Sequence, residues 1–371
     1  MLNGAAALKG RTQIGVVGTM GVPGRYGGFE TLAEQLARHI APATARLVIY
    51  CQRSAYPEAH DQSNTDFAGH RRVFVPLRAN GPASMLHDPL AMLHATVIAR
   101  VDVMLVLGYS GAWALPLMRL LRPRMRIVTN IDGMEWRRAK FGPRTKKVLR
   151  WLEDCAVRFS HRVIADNAAL VPLAQSIHPG LQPLLIAYGG DHTLVAPLPA
   201  SPLDTPRQPY YLSVARIEPE NNCHLILEAF DAEPGWQLVF VGNWSSSDYG
   251  RNLKARYGTR TNLTLLDPVY DLAALAALRA SACGYVHGHS VGGTNPSLVE
   301  ALFHTARVLA FDCSFNRSTL DDEGAYFGDS SQLLALLNVG VDVEMSPGAS
   351  QLLRKRYRWD TIVQAYLDAC R

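Results

Sequence analysis

The sequence predicts an α/β chain of two doubly wound domains, each built on a parallel sheet. Three observations carry that expectation. Apolar, strand-like runs alternate with segments of helical periodicity; the alternation restarts after a proline-rich break; and a glycine-rich turn joins a strand to a helix in each half. Continuous apolar strands separated by helices mark a sheet covered on both faces. A length of 371 residues also suits two domains better than one.

The elements follow in order. Residues 14–18 read as a buried strand, 19–29 as a glycine-rich loop, and 31–40 as a helix with apolar residues at 32, 33, 36, 37 and 40. Strand-like runs follow at 46–51, 72–77, 101–107, 126–131 and 161–166. The break at 194–206 holds four prolines and reads as a stiff, irregular linker. Fresh strands are expected at 210–215, 237–242, 263–266, 284–287 and 307–311. The run 287–295 is a second glycine-rich turn, leading into a helix from Ser297. Residues 1–195 and 205–350 are the two expected domains, and 351–371 is a C-terminal helical segment.

Composition excludes several classes. With 48% hydrophobic and 19% charged residues the chain is globular. A net charge of +5 permits anionic ligands, and with no nucleic-acid-reading motif no nucleic-acid partner is expected. Six scattered cysteines without Cys-x-x-Cys point to reduced thiols in a cytoplasmic protein, and residues 1–10 do not read as a secretory leader. The longest apolar runs, such as 101–107, are far shorter than a membrane span.

The glycine turns carry the chemistry. Amides at a helix N-terminus bind anions, and glycines let backbone approach a ligand closely. Neither turn has the Gly-x-x-x-x-Gly-Lys-Ser/Thr or the Gly-x-Gly-x-x-Gly pattern, so neither a P-loop nor a dinucleotide fingerprint is expected. One such turn alone is equally an ordinary βα connection. Two, one per half, favour a ligand held between the halves. Glu300, one turn into the second helix, could take sugar hydroxyls or simply favour the helix dipole. His287 and His289 lack supporting cysteines or carboxylates, so no metal is expected. Arg137, Arg138, Lys140, Arg144, Lys146, Lys147 and Arg150 lie among Trp136, Phe141 and Trp151. That basic run reads either as a peripheral contact with anionic lipid or as a solvated helix face.

Four stretches in one order, 18–31, 130–138, 215–222 and 287–300, resemble glycosyltransferase family 4, and more narrowly a bacterial subgroup of rhamnosyltransferases. The resemblance implies the GT-B fold: two Rossmann-like domains facing across a cleft, with a C-terminal helix (359–369) crossing back to the N-terminal domain. It implies retaining sugar transfer from a nucleotide-diphosphate donor to a saccharide or lipid-linked acceptor in cell-surface polysaccharide synthesis, without a cofactor. The protein would then work in the cytoplasm, peripheral to the inner face of the membrane.

The same resemblance assigns roles. Asp132, Arg216 and Glu300 are the catalytic candidates. Gly21, Arg25, Gly27, Gly28, Asn221, His289, Gly292, Gly293, Thr294 and Asn295 are candidates for holding the donor. Tyr26, Glu135 and Trp136 are candidates for orienting the acceptor. Three positions depart from the family: Asp132 stands where a histidine is often found. Asn221 stands where a lysine is expected, with Arg25 as the compensating cation; Gly292, eight positions before Glu300, stands where a glutamate is expected. These departures keep a non-catalytic nucleotide-sugar-binding relative open. Another two-domain nucleotide-sugar enzyme, such as an epimerase, stays open as well.

Overall fold

The computed structural model describes residues 12–25, 27–57, 65–131, 133, 136, 141–198, 209–339 and 343–371. The chain divides into two compact units: residues 1–166, 171–186 and 363–371 in the first, and residues 167–170 and 187–362 in the second.

The first unit is built on eight strands: β1 (Thr12–Val17), β2 (Ala45–Gln52), β3 (Asp66–Phe67), β4 (His70–Val75), β5 (Val103–Leu107), β6 (Arg126–Asn130), β7 (Arg162–Ala165) and β8 (Leu184–Leu185). Their order is β3-β4-β2-β1-β5-β6-β7-β8. Every pairing is parallel except β3 with β4, which differs from the all-parallel sheet expected. The reason is local. Ala68 and Gly69 join the two strands in positive-φ conformations, and a two-residue turn can connect only antiparallel neighbours. Helices α1 (Gly28–His39), α2 (Ser84–Leu93), α3 (Leu115–Leu121), α4 (Pro143–Phe159) and α5 (Leu170–Ile177) complete this half of the sequence. β1 and β5 are buried throughout their centres, as strands covered on both faces must be.

The second unit has six parallel strands: β9 (Tyr210–Val214), β10 (Gln237–Val241), β11 (Leu263–Leu266), β12 (Gly284–His287), β13 (Val308–Phe311) and β14 (Ala325–Phe327). Their order is β11-β10-β9-β12-β13-β14. The helices are α6 (Cys223–Ala232), α7 (Asp248–Tyr257), α8 (Leu272–Ser281), α9 (Pro296–Leu302), α10 (Ser314–Leu320), α11 (Ser330–Val339), α12 (Pro347–Arg356) and α13 (Trp359–Cys370).

In each sheet the direction of winding reverses once, between β1 and β5 and between β9 and β12. Such switch points open a crevice at the carboxyl ends of the strands, where open α/β sheets bind ligands. The glycine turns after β1 and β12 both leave from a switch strand.

The helix α13 begins among second-unit residues and ends, from Val363, among first-unit ones. At its start the Trp359 indole is fully buried, lies edge-on to Tyr188 at 4.9 Å between ring centres, and donates to His192 Nδ1 at 2.9 Å. A side chain at Gly189 would enter the same indole. At its end Asn130 donates to the Tyr366 hydroxyl at 2.7 Å, and Arg162 to the Asp368 carbonyl at 2.7 Å. No two cysteines form a disulfide among the described residues.

Trp359→Ala removes a whole buried indole and orphans a histidine nitrogen. It is expected to cost about 3–5 kcal/mol of stability, read as a lower midpoint in urea unfolding followed by circular dichroism.

Candidate active site

In the first unit, the turn after β1 is organised by two glutamates of α1. Glu30, 5% exposed, accepts from the Thr19 hydroxyl at 3.1 Å and the Met20 amide at 2.7 Å. Glu34, one turn on, accepts from the Gly24 amide at 2.7 Å. Gly21 sits at φ +121°, and a Cβ there would press on Cys51 at 2.6 Å, so only glycine fits. Gly27 caps α1 and Gly28 opens it. Arg25 donates to the Ala55 carbonyl at 2.8 Å and lies over the Tyr56 ring at 5.0 Å.

Trp136 packs against the first-unit core, and its indole N–H donates to Glu153 at 3.0 Å. The other candidates of this half, Asp132, Tyr26 and Glu135, lie outside the described residues.

The second unit brings its candidates closer together. The loops after β9 and β12 flank the switch point and are laced to each other. Asn221, 3% exposed, donates to the Arg216 carbonyl at 2.6 Å, and its side-chain oxygen accepts from His289 Nδ1. Asn222, in a left-handed conformation, donates to the Gly288 carbonyl at 2.8 Å. The amide and hydroxyl of Ser290 both donate to the Glu220 carbonyl, at 3.0 and 2.8 Å. Gly292 sits at φ +130° with His289 Nε2 3.0 Å from where a Cβ would stand. A glutamate there would be strained in its backbone and would strike that imidazole.

Asn295 caps α9, accepting from the Ser297 amide at 3.0 Å. That amide is therefore occupied by the cap and is not free for a ligand. Gly293 lies in the turn before α9, half-buried beside Thr294. Asn167 holds Thr294 by donating to its hydroxyl at 3.3 Å, and also reaches the Thr319 hydroxyl at 3.1 Å.

Arg216 is just over half exposed, with Glu218 4.0 Å away. It follows β9, a switch strand of the second sheet. In exposure Glu300 is the opposite. Its side chain is largely buried, paired with the buried Arg279 of α8, and 3.5 Å from His192 Nε2. Because His192 Nδ1 accepts from Trp359, the neutral ring carries its proton on Nε2, facing Glu300. Arg279 and His192 were not foreseen. An arginine late in a helix and a histidine after a glycine pair carry no periodic signal toward a glutamate so far along the chain.

Burial dominates the titration of two second-unit histidines, His287 and His304. His287, the last residue of β12, is driven well below its ordinary value by burial, with the neighbouring His289 adding to this. Its Nε2 is buried with no hydrogen-bond partner among the described residues. Burial, then the charges of Arg279 and Arg354, push His304 down to about 4. No three His, Cys, Asp or Glu side chains gather as a cation site among the described residues.

Both histidines are neutral in the fold and take up protons more readily when unfolded. Stability from this source is full above about 6.5 and is lost as pH falls toward 4. The melting temperature is expected to fall steadily over that interval, and His304→Gln to flatten the fall, measured by calorimetry from pH 7.5 downward.

Comparison with known proteins follows the two halves. Residues 11–191 match a family described as a domain of unknown function (DUF1972), and residues 199–335 match the family of glycosyl transferases group 1. No curated protein matches the chain in sequence. Among solved structures, sucrose-phosphate synthase from Thermosynechococcus elongatus superposes with a TM-score of 0.78 at 14% identity, spanning 96% of this chain and 98% of that one. The catalytic domain of starch synthase IV from Arabidopsis thaliana, bound to ADP and acarbose, gives 0.69 at 13% identity over 97% and 98% of the two chains. The lipopolysaccharide outer core galactosyltransferase WaaB gives 0.63 at 12% identity over 96% and 99%. Identities this low speak for the fold, and the match to the second half speaks for the chemistry. Together they support a glycosyltransferase with the two-domain GT-B fold.

Proposed function

We propose that the protein is a retaining, metal-independent glycosyltransferase. It takes a sugar, rhamnose by the resemblance of its sequence, from a nucleotide-diphosphate donor. It passes the sugar to a saccharide or lipid-linked saccharide in cell-surface polysaccharide synthesis. The observation that carries this reading is the lacing of the Arg216–Asn222 loop to the glycine turn at 287–294, at the switch point of the second sheet.

Departure of a diphosphate needs preorganised positive charge where the leaving oxygens develop theirs. Arg216 supplies it just after the switch strand β9, and the glycine turn supplies a surface without side chains for close approach. Asn221, in the lysine position, has its amide committed to Arg216 and His289, so it shapes the site rather than charging it. Arg25 is engaged with Ala55 and Tyr56, which argues against it as the compensating cation. His289 fits better: its Nε2 stands beside Gly292, and protonation next to a diphosphate would make it a cation. Glu300, held by Arg279 and His192, is fixed in orientation with lone pairs left for ribose hydroxyls. A lipid-linked acceptor fits the presence of a lipopolysaccharide transferase among the fold neighbours.

Free nucleoside diphosphates of uridine, guanosine and thymidine, without metal, test the donor half. The matching base at a hundredfold excess over its Kd stabilises the fold by about 2.7 kcal/mol, seen as a raised melting temperature. Arg216→Ala is expected to weaken that binding by about ten- to a hundredfold, the loss of about 1.5–3 kcal/mol from a charged hydrogen bond. No shift with any base at millimolar concentration would favour the non-catalytic reading. Retention is checked by NMR of the anomeric proton in the product.

The Gly292 departure gives a second test. Gly292→Glu restores the family's glutamate in sequence, yet is expected to lower turnover further, because it displaces His289. Recovered or improved turnover in that variant would refute this account of the turn.

A further inference from the structure

Strand β5, one of the two switch strands of the first sheet, runs into residues 108–114, where two side chains reach across to helix α2. The Ser110 hydroxyl donates to Asp88 Oδ2 at 2.9 Å, and the Trp113 indole N–H donates to the Met85 carbonyl at 3.0 Å. Met85 and Asp88 are one turn apart on α2, so the two bonds are neighbouring rungs between loop and helix. Gly111 lies between them. A Cβ there would stand 2.5 Å from Asp88 Cβ, so a larger residue would push the loop off the helix.

Behind Ser110 the polar groups are committed. Asp88 is 3% exposed, and its other oxygen lies 2.9 Å from His87 Nδ1. A carboxylate only accepts, so the imidazole donates to it. His87 is fully buried, and its Nε2 has no hydrogen-bond partner among the described residues. Burying an unpaired ring nitrogen is costly. The Trp113 bond already ties the loop to α2; what the buried pair adds is the direction of the Ser110 hydroxyl. With its one proton on Asp88, the half-buried Ser110 oxygen presents only lone pairs outward. It therefore accepts from a ligand hydroxyl, and with the Asp88 carboxylate behind it disfavours a phosphate or carboxylate. Beside it the Trp113 ring is 39% exposed, its single polar atom engaged and its orientation fixed by that bond. A fixed apolar ring next to an outward-facing acceptor matches a pyranose, whose C–H face lies on the ring while its rim supplies hydroxyls.

We infer that Ser110 and Trp113, set in place by Asp88 and Met85 of α2, form a binding station for a neutral pyranose at the carboxyl end of β5. Under the transferase reading, on which its role rests, the sugar held there belongs to the acceptor. Binding itself needs neither donor nor turnover.

The test is saturation-transfer difference NMR of the full chain with methyl pyranosides of glucose, galactose, mannose, rhamnose and N-acetylglucosamine, titrated to high millimolar concentration without nucleotide. At least one is expected to bind, with saturation strongest on the ring C–H protons of one face. Trp113→Ala is expected to weaken that binding about tenfold and Trp113→Phe to keep most of it, since the ring and not the N–H makes the contact. Ser110→Ala is expected to weaken it about fivefold, the loss of one neutral hydrogen bond, and Ser110→Thr to restore it. Inorganic phosphate is expected not to displace the glycoside. Unchanged circular dichroism certifies that each variant is folded, and Ser110→Ala, which removes a single oxygen, carries the test where Trp113→Ala does not fold. Wild-type protein that binds none of the pyranosides would overturn the inference, as would displacement by phosphate. Full binding by folded Ser110→Ala and Trp113→Ala proteins would overturn it too, reducing the rungs to staples of the loop. A nucleoside-diphosphate shift without pyranoside binding leaves the transferase reading standing and removes this station; pyranoside binding that the variants lose, without any such shift, does the reverse.

Discussion

The side chain of Asn221 is the point on which the loops at the second-unit switch point depend. A buried amide must place both its donor and its acceptor, because each unpaired end costs about 1–3 kcal/mol. Asn221 does so by bridging the two loops that flank the switch point, one end on the Arg216 carbonyl and the other on His289. That bridge fixes the backbone from which the Arg216 side chain springs. It also fixes the imidazole against which Gly292 is fitted. A lysine in its place could donate but not accept, and would carry a charge into a site 3% exposed. Asparagine at 221 thus assembles the site differently from the lysine that the family resemblance implies, and the glycine at 292 is its counterpart: a Cβ there would stand 3.0 Å from His289 Nε2 on a backbone with φ +130°, which favours glycine.

Much of the architecture was legible from the chain. The apolar runs at 101–107 and 237–242 contain buried strands because a doubly covered sheet admits little else there, and the glycine turns fall where switch strands end. The short strands β3, β8 and β14 were not legible, being two or three residues long and defined by their neighbours more than by their own pattern. The site was legible as motifs and not as contacts. Arg216, Asn221 and Glu300 were singled out, but the pairing of Glu300 with Arg279 and His192 is made by the packing of distant segments, and nothing in local periodicity announces it. The glutamates that shape the first turn, Glu30 and Glu34, stand four residues apart on α1 and were not singled out from the sequence. Only the fold shows them reaching back to loop amides.

The two units settle their glycine turns in different ways. In the first, carboxylates of the following helix draw the loop in, so the turn is held from within one βα unit. In the second, the turn is held by a neighbouring loop across the switch point. A loop held from outside responds to anything that shifts its neighbour. The Arg216 loop and the glycine turn are thus coupled through three side chains, Asn221, Asn222 and Ser290.

The end of the chain completes its beginning. Residues 363–371 belong with the first unit, where Tyr366 and Asp368 take hydrogen bonds from Asn130 and Arg162, near the ends of β6 and β7. During vectorial synthesis those donors emerge some two hundred residues before their acceptors. Until the whole of the second unit has been made, the Asn130 and Arg162 side chains lack these two partners. A chain cut after the second sheet would therefore lose part of the first unit, although the cut falls in the other half of the sequence.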